Sequence, residues 1–319
     1  MISLRERLNP IVTREIRSRM RGRRSIIVLT ISALLLSLLA VLIYASIYYE
    51  GADPAYQTQV VTSVNNSVVI GTAIFSGTFL LLLAIYSFVA PAFGAAALAG
   101  EQERQTYETL LITSLRPAQI VWGKLGAIAL LLLLFLLMSL PIQSLAFAFG
   151  GVTPAEGLIG TIGLLVTALA LSALGLYISS MARTTMVAVM ISYGITTPFI
   201  YGLPLLFLFI FEGPFYWLGD RLEESTLLAK IILFYGIGFI ISISPFSSAA
   251  LSYYYIVEQQ EGYFFFTVTE QIDTPFAMVN QSVTFWLVSP WLVYVIFHSL
   301  LTWLLVRLTV RRVGRMSDK

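Results

Sequence analysis

Long apolar runs dominate the chain, and the gaps between them set its architecture. Charge-free windows cover 25–49, 54–100, 125–155, 157–182, 184–211, 231–257 and 274–306. A helix needs about 20 apolar residues to cross the ~30 Å hydrocarbon core of a bilayer. The second window opens on a polar stretch, Gln57 to Ser67, so its spanning part is about 68–98. Seven candidate segments follow: about 26–49, 68–98, 120–149, 157–181, 185–211, 231–257 and 284–306.

Charge decides how many of these cross. Lys and Arg collect on the cytoplasmic side of membrane proteins. Eight Arg precede the first candidate, from Arg5 to Arg24, and Arg307, Arg311, Arg312, Arg315 and Lys319 follow the last. Both ends are therefore expected in the cytoplasm, which requires an even number of crossings. The segment 258–283 has no Lys or Arg but carries Glu258, Glu261, Glu270 and Asp273, so it is expected outside. Six crossings place 17 of the 19 Lys and Arg inside and 11 of the 17 acids outside. Seven crossings would send the basic C-terminal residues outward.

The candidate that does not cross is then 231–257, entering and leaving on the outer side between spans five and six. Ser244-Pro245 sits near its middle, where proline interrupts the helical hydrogen-bond ladder. Each arm is about 20 Å of helix, too short for the bilayer core. A re-entrant pair of half-helices fits, with the broken backbone buried in protein or facing water. The alternative is one Pro-kinked full span. The expected fold is thus an all-α membrane protein, one domain over 1–319, with six spans.

Two further segments are amphipathic. Over 3–24, Leu4, Leu8, Ile11, Val12, Ile16 and Met20 recur at helical spacing among Arg and polar residues. This is the pattern of an interfacial helix, with its apolar face at the headgroup boundary and Arg14, Arg17 and Arg19, beside Glu15, against anionic lipid. A plain basic anchor is compatible with the same residues, and a nucleic-acid role is not favoured, because the run adjoins a span directly. Between spans two and three, Gly100 can end the preceding helix. Glu101, Glu103, Arg104 and Glu108 then cluster, and Tyr107, Leu110, Leu111 and Ser114 follow at helical spacing. Pro117 is a favoured first-turn residue for the next span, with Ser114 or Thr113 as its cap. A short amphipathic helix over 101–114 offers a docking surface, although a mere turn would also connect the spans.

Composition removes most chemistry. The chain is 58% hydrophobic and 11% charged, against about 25% charged in soluble domains. With no cysteine and one histidine, disulfides, thiolate chemistry and multi-histidine metal sites are excluded. The basic start followed by a long apolar run does not read as a cleaved signal peptide. There is no G-x-x-x-x-G-K-[ST] and no H-E-x-x-H, so the chain is expected to bind no ATP and to catalyse nothing itself. His298 lies in the last span and reads as an interhelical hydrogen-bonding residue rather than a base. Carriers driven by ions keep ionised groups at mid-membrane, and the span interiors here lack them, so energy for transport is expected from another subunit.

The segment Gly100-Glu101-Gln102-Glu103-Arg104-Gln105-Thr106-Tyr107-Glu108-Thr109-Leu110-Leu111-Ile112-Thr113-Ser114-Leu115, followed by Gln119-Ile120-Val121-Trp122-Gly123-Lys124, resembles the region after the second span of ABC-2-type transporter permeases. The family pattern runs approximately G-E-x-E-x-G-T-x-E-x-L-L-x-T-P, then I-x-x-G-K. The chain departs at Gln105, where Gly is usual, and at Ser114, where Pro is usual, which bears on how the helix starts and exits. Asn9-Pro10-Ile11-Val12-Thr13-Arg14-Glu15-Ile16-Arg17-Ser18-Arg19 is similar to the family's N-P-x-x-x-[RK]-E-[LI]-[RK] opening. The resemblance is residue-specific over these two stretches and extends to the rest of the chain in topology.

The resemblance implies a permease that works with a second permease copy or homologue and with a dimer of cytosolic P-loop ABC ATPase subunits, which hold the ATP and Mg. It implies that 101–114 is a coupling helix seated on the ATPase, with Glu101, Glu103, Arg104, Thr106, Tyr107, Glu108 and Leu111 as contacts. It implies that 3–24 is the interfacial connecting helix and that the complex exports substrate from a bacterial or archaeal cell across the inner or plasma membrane. Span five adds Thr196, Thr197, Pro198 and Tyr201 as candidate path-lining residues, because prolines in a spanning helix free backbone groups. Ordinary helix packing accounts for them too. The small residues Gly71, Gly77, Ala84, Pro91 and Gly94 of span two invite close helix packing. The aromatics from Tyr253 to Phe266 read as an interfacial belt. A structural or regulatory subunit on the same scaffold is the alternative function.

Overall fold

The computed structural model describes residues 23–52, 63–106, 116–212, 235–236, 238–240, 242–258, 262–272 and 281–317. The expected interfacial helix, with Arg14, Glu15, Arg17 and Arg19, lies outside the described residues, except that Arg23 and Arg24 begin the first spanning helix. Among the described residues, six helices are long and apolar enough to cross a membrane: Leu29–Tyr49, Ser67–Glu103, Pro117–Ala148, Pro154–Ser179, Thr185–Leu206 and Pro290–Arg315. The chain divides into two compact units, one of residues 1–196 with 300–319, the other of residues 197–299.

The first unit holds α1 (Arg23–Ala52), α2 (Ser63–Glu103), α3 (Pro117–Ala148), α4 (Pro154–Ser179), α5 (Thr185–Thr197) and the end of α8 (Pro290–Ser317). Its outward surface is apolar, with Leu34, Val41 and Leu158 each more than 60% exposed, as a lipid-facing surface requires. Lipid is as apolar as leucine, so helices in it associate through close packing rather than burial of apolar area. The small residues of α2 serve that purpose. A Cβ at Gly94 would overlap the Ser172 carbonyl oxygen of α4, and one at Gly175 would collide with the Pro91 carbonyl and the Ala95 nitrogen. The two backbones touch there. Gly77 lies under Ile43 of α1. Gly71 faces Gly151 in the turn after α3, where the Thr72 hydroxyl donates to the Gly151 carbonyl at 2.8 Å. Tyr86, buried in α2, donates to the Leu132 carbonyl of α3 at 2.7 Å, and Tyr193 of α5 donates to the Phe88 carbonyl of α2 at 2.7 Å.

Helix starts follow local chemistry. Thr153 caps α4 in a reciprocal box: the Glu156 N–H donates to Thr153 Oγ1, and the Thr153 N–H to Glu156 Oε2, with Pro154 at the first helical position. Pro117 opens α3 as expected, but its cap is Arg116, not Ser114 or Thr113. The Arg116 N–H is satisfied by Gln119 Oε1 at 2.9 Å.

The second unit is less regular. A π turn, Pro198–Gly202, leads into α6 (Leu203–Glu212). The chain breaks at Ser244, whose backbone is extended, and α7 (Pro245–Tyr253) starts with Pro245 at its first position. This is where proline was expected to interrupt the segment. Residues on the N-terminal side of the break are helical where described, and 231–234 lie outside the described residues. The Ser244 hydroxyl donates to the Ile200 carbonyl of the π turn and the Ser248 hydroxyl to the Pro290 carbonyl.

The described residues are helical apart from one hairpin and the connecting turns, and the hydropathy pattern did not show that hairpin: β1 (Phe265–Ile272) pairs antiparallel with β2 (Gln281–Val288). The last span therefore starts at Pro290, not near 284. Phe265, Phe266, Thr267, Val268 and Thr269 pair with Thr284 through Val288 in register. Both runs are rich in β-branched and aromatic residues, the composition that favours a pleated strand. Hydropathy alone merged the second run into the following span. Ser289 closes the hairpin onto α8 by donating its N–H to the Phe264 carbonyl, and the Trp291 indole donates to the Tyr263 carbonyl at 2.6 Å. Phe264 and Trp286 are exposed, in keeping with an aromatic belt. His298 is buried among Tyr294, Phe297 and Phe199. Its Nδ1 lies 3.1 Å from the Tyr294 carbonyl of its own helix.

The backbone contact between α2 and α4 has a testable sign. In an open helix position Gly→Ala gains up to about 1 kcal/mol. At Gly163, where nothing lies within 4 Å of an added Cβ, G163A should leave or raise the melting temperature in detergent. G94A should instead lower stability by about 1–3 kcal/mol, the cost of overpacking. Equal responses of the two variants would refute the contact.

Candidate functional site

The end of the first unit where α2 and α4 finish and α3 and α5 begin carries most of its described charge: Glu101, Glu103, Arg104, Arg116, Lys124 and Arg183, with Arg311, Arg312 and Arg315 of α8. α2 is built to reach it. Its 41 residues make a rod of about 60 Å, twice the bilayer core, so its last turns need not lie in lipid.

Ser179, at the end of α4, steers that extension. Its hydroxyl accepts from the Leu98 and Ala99 N–H groups at 2.9 and 2.7 Å. The close approach at Gly94 and Gly175 one turn earlier brings Ser179 within reach. α2 then runs straight through Gly100, which does not end it, and stops at Glu103. The turn falls at Gln105, with φ of 56°. The Thr106 N–H donates to the Glu101 carbonyl at 2.9 Å and the Gln105 N–H to the Gln102 carbonyl at 3.1 Å. This is the Schellman pattern, and the residue it puts in the left-handed region is normally glycine. Here Gln105 adopts the same conformation at a steric cost.

The expected helix over 101–114 therefore does not begin at 101. Residues 101–103 finish α2, 104–106 turn the chain, and Tyr107, Glu108 and Leu111 lie outside the described residues. The charges expected to face a partner are used differently. Glu101 turns inward: Oε1 lies 3.2 Å from Lys124 Nζ, and Oε2 accepts from the Thr106 hydroxyl at 2.6 Å. Lys124 is 3% exposed and also donates to the Ala97 carbonyl at 2.7 Å. Glu103 accepts from the Thr185 N–H at 3.1 Å, placing a carboxylate at the start of α5, where the helix dipole favours it. Arg104 is exposed. α8 closes the same end, with the Arg312 Nε–H donating to the Ser180 carbonyl at 3.2 Å.

Sequence reasoning missed Lys124, Thr185, Ser179 and Arg312 as members of this cluster. Lys124 had been quoted within the Gly123-Lys124 motif, but nothing in a separation of 23 residues from Glu101 shows that the two meet. The span-five residues are placed as follows. Thr196 is buried, and its hydroxyl is taken by the Ser192 carbonyl one turn back. Thr197 ends α5, and Pro198 and Tyr201 belong to the π turn, where the Tyr201 ring lies 5.2 Å from that of Phe246.

A family model described as ABC-2 family transporter protein matches residues 9–213, well over half of the chain, and that stretch includes the whole α2–α3 connection. No curated protein matches the chain.

The strained turn can be relieved. Gln105→Gly removes the left-handed penalty of about 1–2 kcal/mol, offset in part by the chain entropy that glycine adds to the unfolded state. The variant should be more stable than the parent by about 0.5–1 kcal/mol in a detergent melt, while Gln105→Val, branched at Cβ, should be less stable. A Q105G variant that is less stable than the parent would show that the turn has been misassigned.

Proposed function

Because the chain belongs to the ABC-2 family of transporter proteins, we propose that it is the membrane-spanning permease subunit of an ATP-driven exporter, powered by separate cytosolic ATPase subunits that dock on the connection between α2 and α3. Membership makes it a multi-pass membrane transport component. Export, the docking site and the orientation are our reading of the residues.

One observation supports the docking site best. The connection between Thr106 and Arg116 leaves α2 and enters α3 through hydrogen-bonded ends: the Schellman turn at Gln105 on one side and the Arg116–Gln119 bond on the other. Hydrogen-bonded ends of this kind would pass a push on the connection into α2 and α3. Tyr107, Glu108, Leu110 and Leu111 lie on that segment and supply the mixed apolar and acidic character of a docking element. The charge distribution favours a cytoplasmic position for this end and for both termini. ATP and Mg then belong to the partner, a second permease copy or homologue completes the membrane part, and 231–257 is the external re-entrant pair broken at Ser244. The membrane is a bacterial or archaeal inner or plasma membrane.

Physically, ATP-driven closure of the partner subunits would displace 107–115, and the spans would follow. The candidate path residues Thr196, Thr197, Pro198 and Tyr201 fall at or beside a π turn, a helix irregularity that recurs at functional sites.

Since the chain contains no cysteine, a single introduced thiol reports on its own position. A Glu108→Cys variant should react with a membrane-impermeant maleimide in inverted vesicles stripped of peripheral proteins and not in intact cells. A P-loop ATPase should co-purify with the chain and, while bound, should shield the introduced thiol from the reagent. Labelling from outside would overturn the orientation. Free reaction of that thiol in a complex that retains the ATPase would overturn the docking site. A structural subunit that moves no substrate would show the same docking without ATP-dependent movement of solute in proteoliposomes.

A further inference from the structure

The carboxylate of Glu101 holds three pieces of chain together. It sits on the last turn of α2. One oxygen meets Lys124, two turns into α3, and the other meets Thr106, the last described residue before the connection. Lys124 is buried, so its ammonium depends on the Glu101 carboxylate and the Ala97 carbonyl for what water would otherwise supply. Glu103, on the same turn, accepts from α5. A buried ion pair is a poor device for stability, because desolvation consumes most of what attraction returns; it is better suited to fixing one arrangement.

We propose that Glu101 and Lys124 are positioning residues that lock the α2–α3 connection to the two helices it joins, so that displacement of 107–115 is delivered to α3 as a rigid-body movement. Glu101 then acts within the permease and not as a contact to the ATPase. Thr106 is the third member of the lock and Glu103 a lateral tie to α5. This rests on the permease reading above and assigns its transmission step to named side chains.

The geometry explains why three separate motif positions belong together. The Glu after the glycine, the Thr after the turn residue and the Lys of the Gly-Lys pair occupy one cluster: Glu101, Thr106 and Lys124. Glu101 is engaged with Lys124 and Thr106, whereas Arg104 beside it is exposed and open to a partner.

The test uses the full complex reconstituted in liposomes, with three readouts: ATPase retained on purification, melting temperature, and the increase in ATPase rate caused by the permease. The double variant Glu101→Leu with Lys124→Met replaces the pair by apolar groups of similar size. It should retain the ATPase and melt near the parent, but lose the permease-dependent increase by on the order of tenfold. Lys124→Arg, which keeps the charge, should retain most of it. A double variant with parental stimulation would overturn the lock. So would a lower melting temperature with parental stimulation per assembled complex, which would make the pair merely structural. Should the double variant fail to assemble, Thr106→Val carries the test, since it removes only the exposed hydroxyl that ties the connection to Glu101; unchanged stimulation there would overturn the proposal. Failure of the parental chain to retain or stimulate any ATPase would instead sink the permease reading.

Discussion

The contact on which the rest of the first unit depends is the touching of two backbones at Gly94 and Gly175. Lipid offers helices no hydrophobic gain for associating, so the closeness of approach decides how well they hold. Side chains at these two positions would push α2 and α4 apart. With them absent, Ser179 reaches the Leu98 and Ala99 N–H groups, and the final turns of α2 acquire a fixed direction. That direction puts Glu101 opposite Lys124, and Glu103 at the start of α5. The charged cluster at the basic end is thus a consequence of packing in the bilayer.

Charge at that end does two jobs. Glu101, Glu103, Thr106 and Lys124 all bond to groups of this chain, but only Glu101 and Lys124 are withdrawn from solvent; Glu103 and Thr106 are exposed, as is Arg104. A residue list alone would treat all of these as one patch. The distinction is mechanical: the groups bonded within the chain tie the end of α2 to α3 and α5. Gln105 fits the same logic. The turn needs a left-handed residue whatever occupies it, because the hydrogen bonds from Thr106 and Gln105 to Glu101 and Gln102 close only in that conformation.

The second unit solves a different problem. At the break before Pro245, the Ser244 and Ser248 hydroxyls donate to the carbonyls of Ile200 and Pro290 and so tie α7 to the π turn and to the start of α8. The hairpin of β1 and β2 pairs its own strands, and Trp291 and Ser289 join it to the start of α8.

The six apolar helices, their order and the proline break at Ser244 were legible in the sequence, because each rests on local properties: a run of apolar residues, a missing N–H. The hairpin was hidden, since Phe285, Trp286, Leu287 and Val288 are as apolar as a span and only their pairing with Phe265 through Val268 makes them a strand. The roles of Glu101 and Lys124 were hidden for a deeper reason. Whether a carboxylate faces a partner protein or a lysine of its own chain depends on where a helix ends, and that is decided by a glycine contact two turns away on another helix. Local chemistry determines which elements exist; only their packing determines which charges meet.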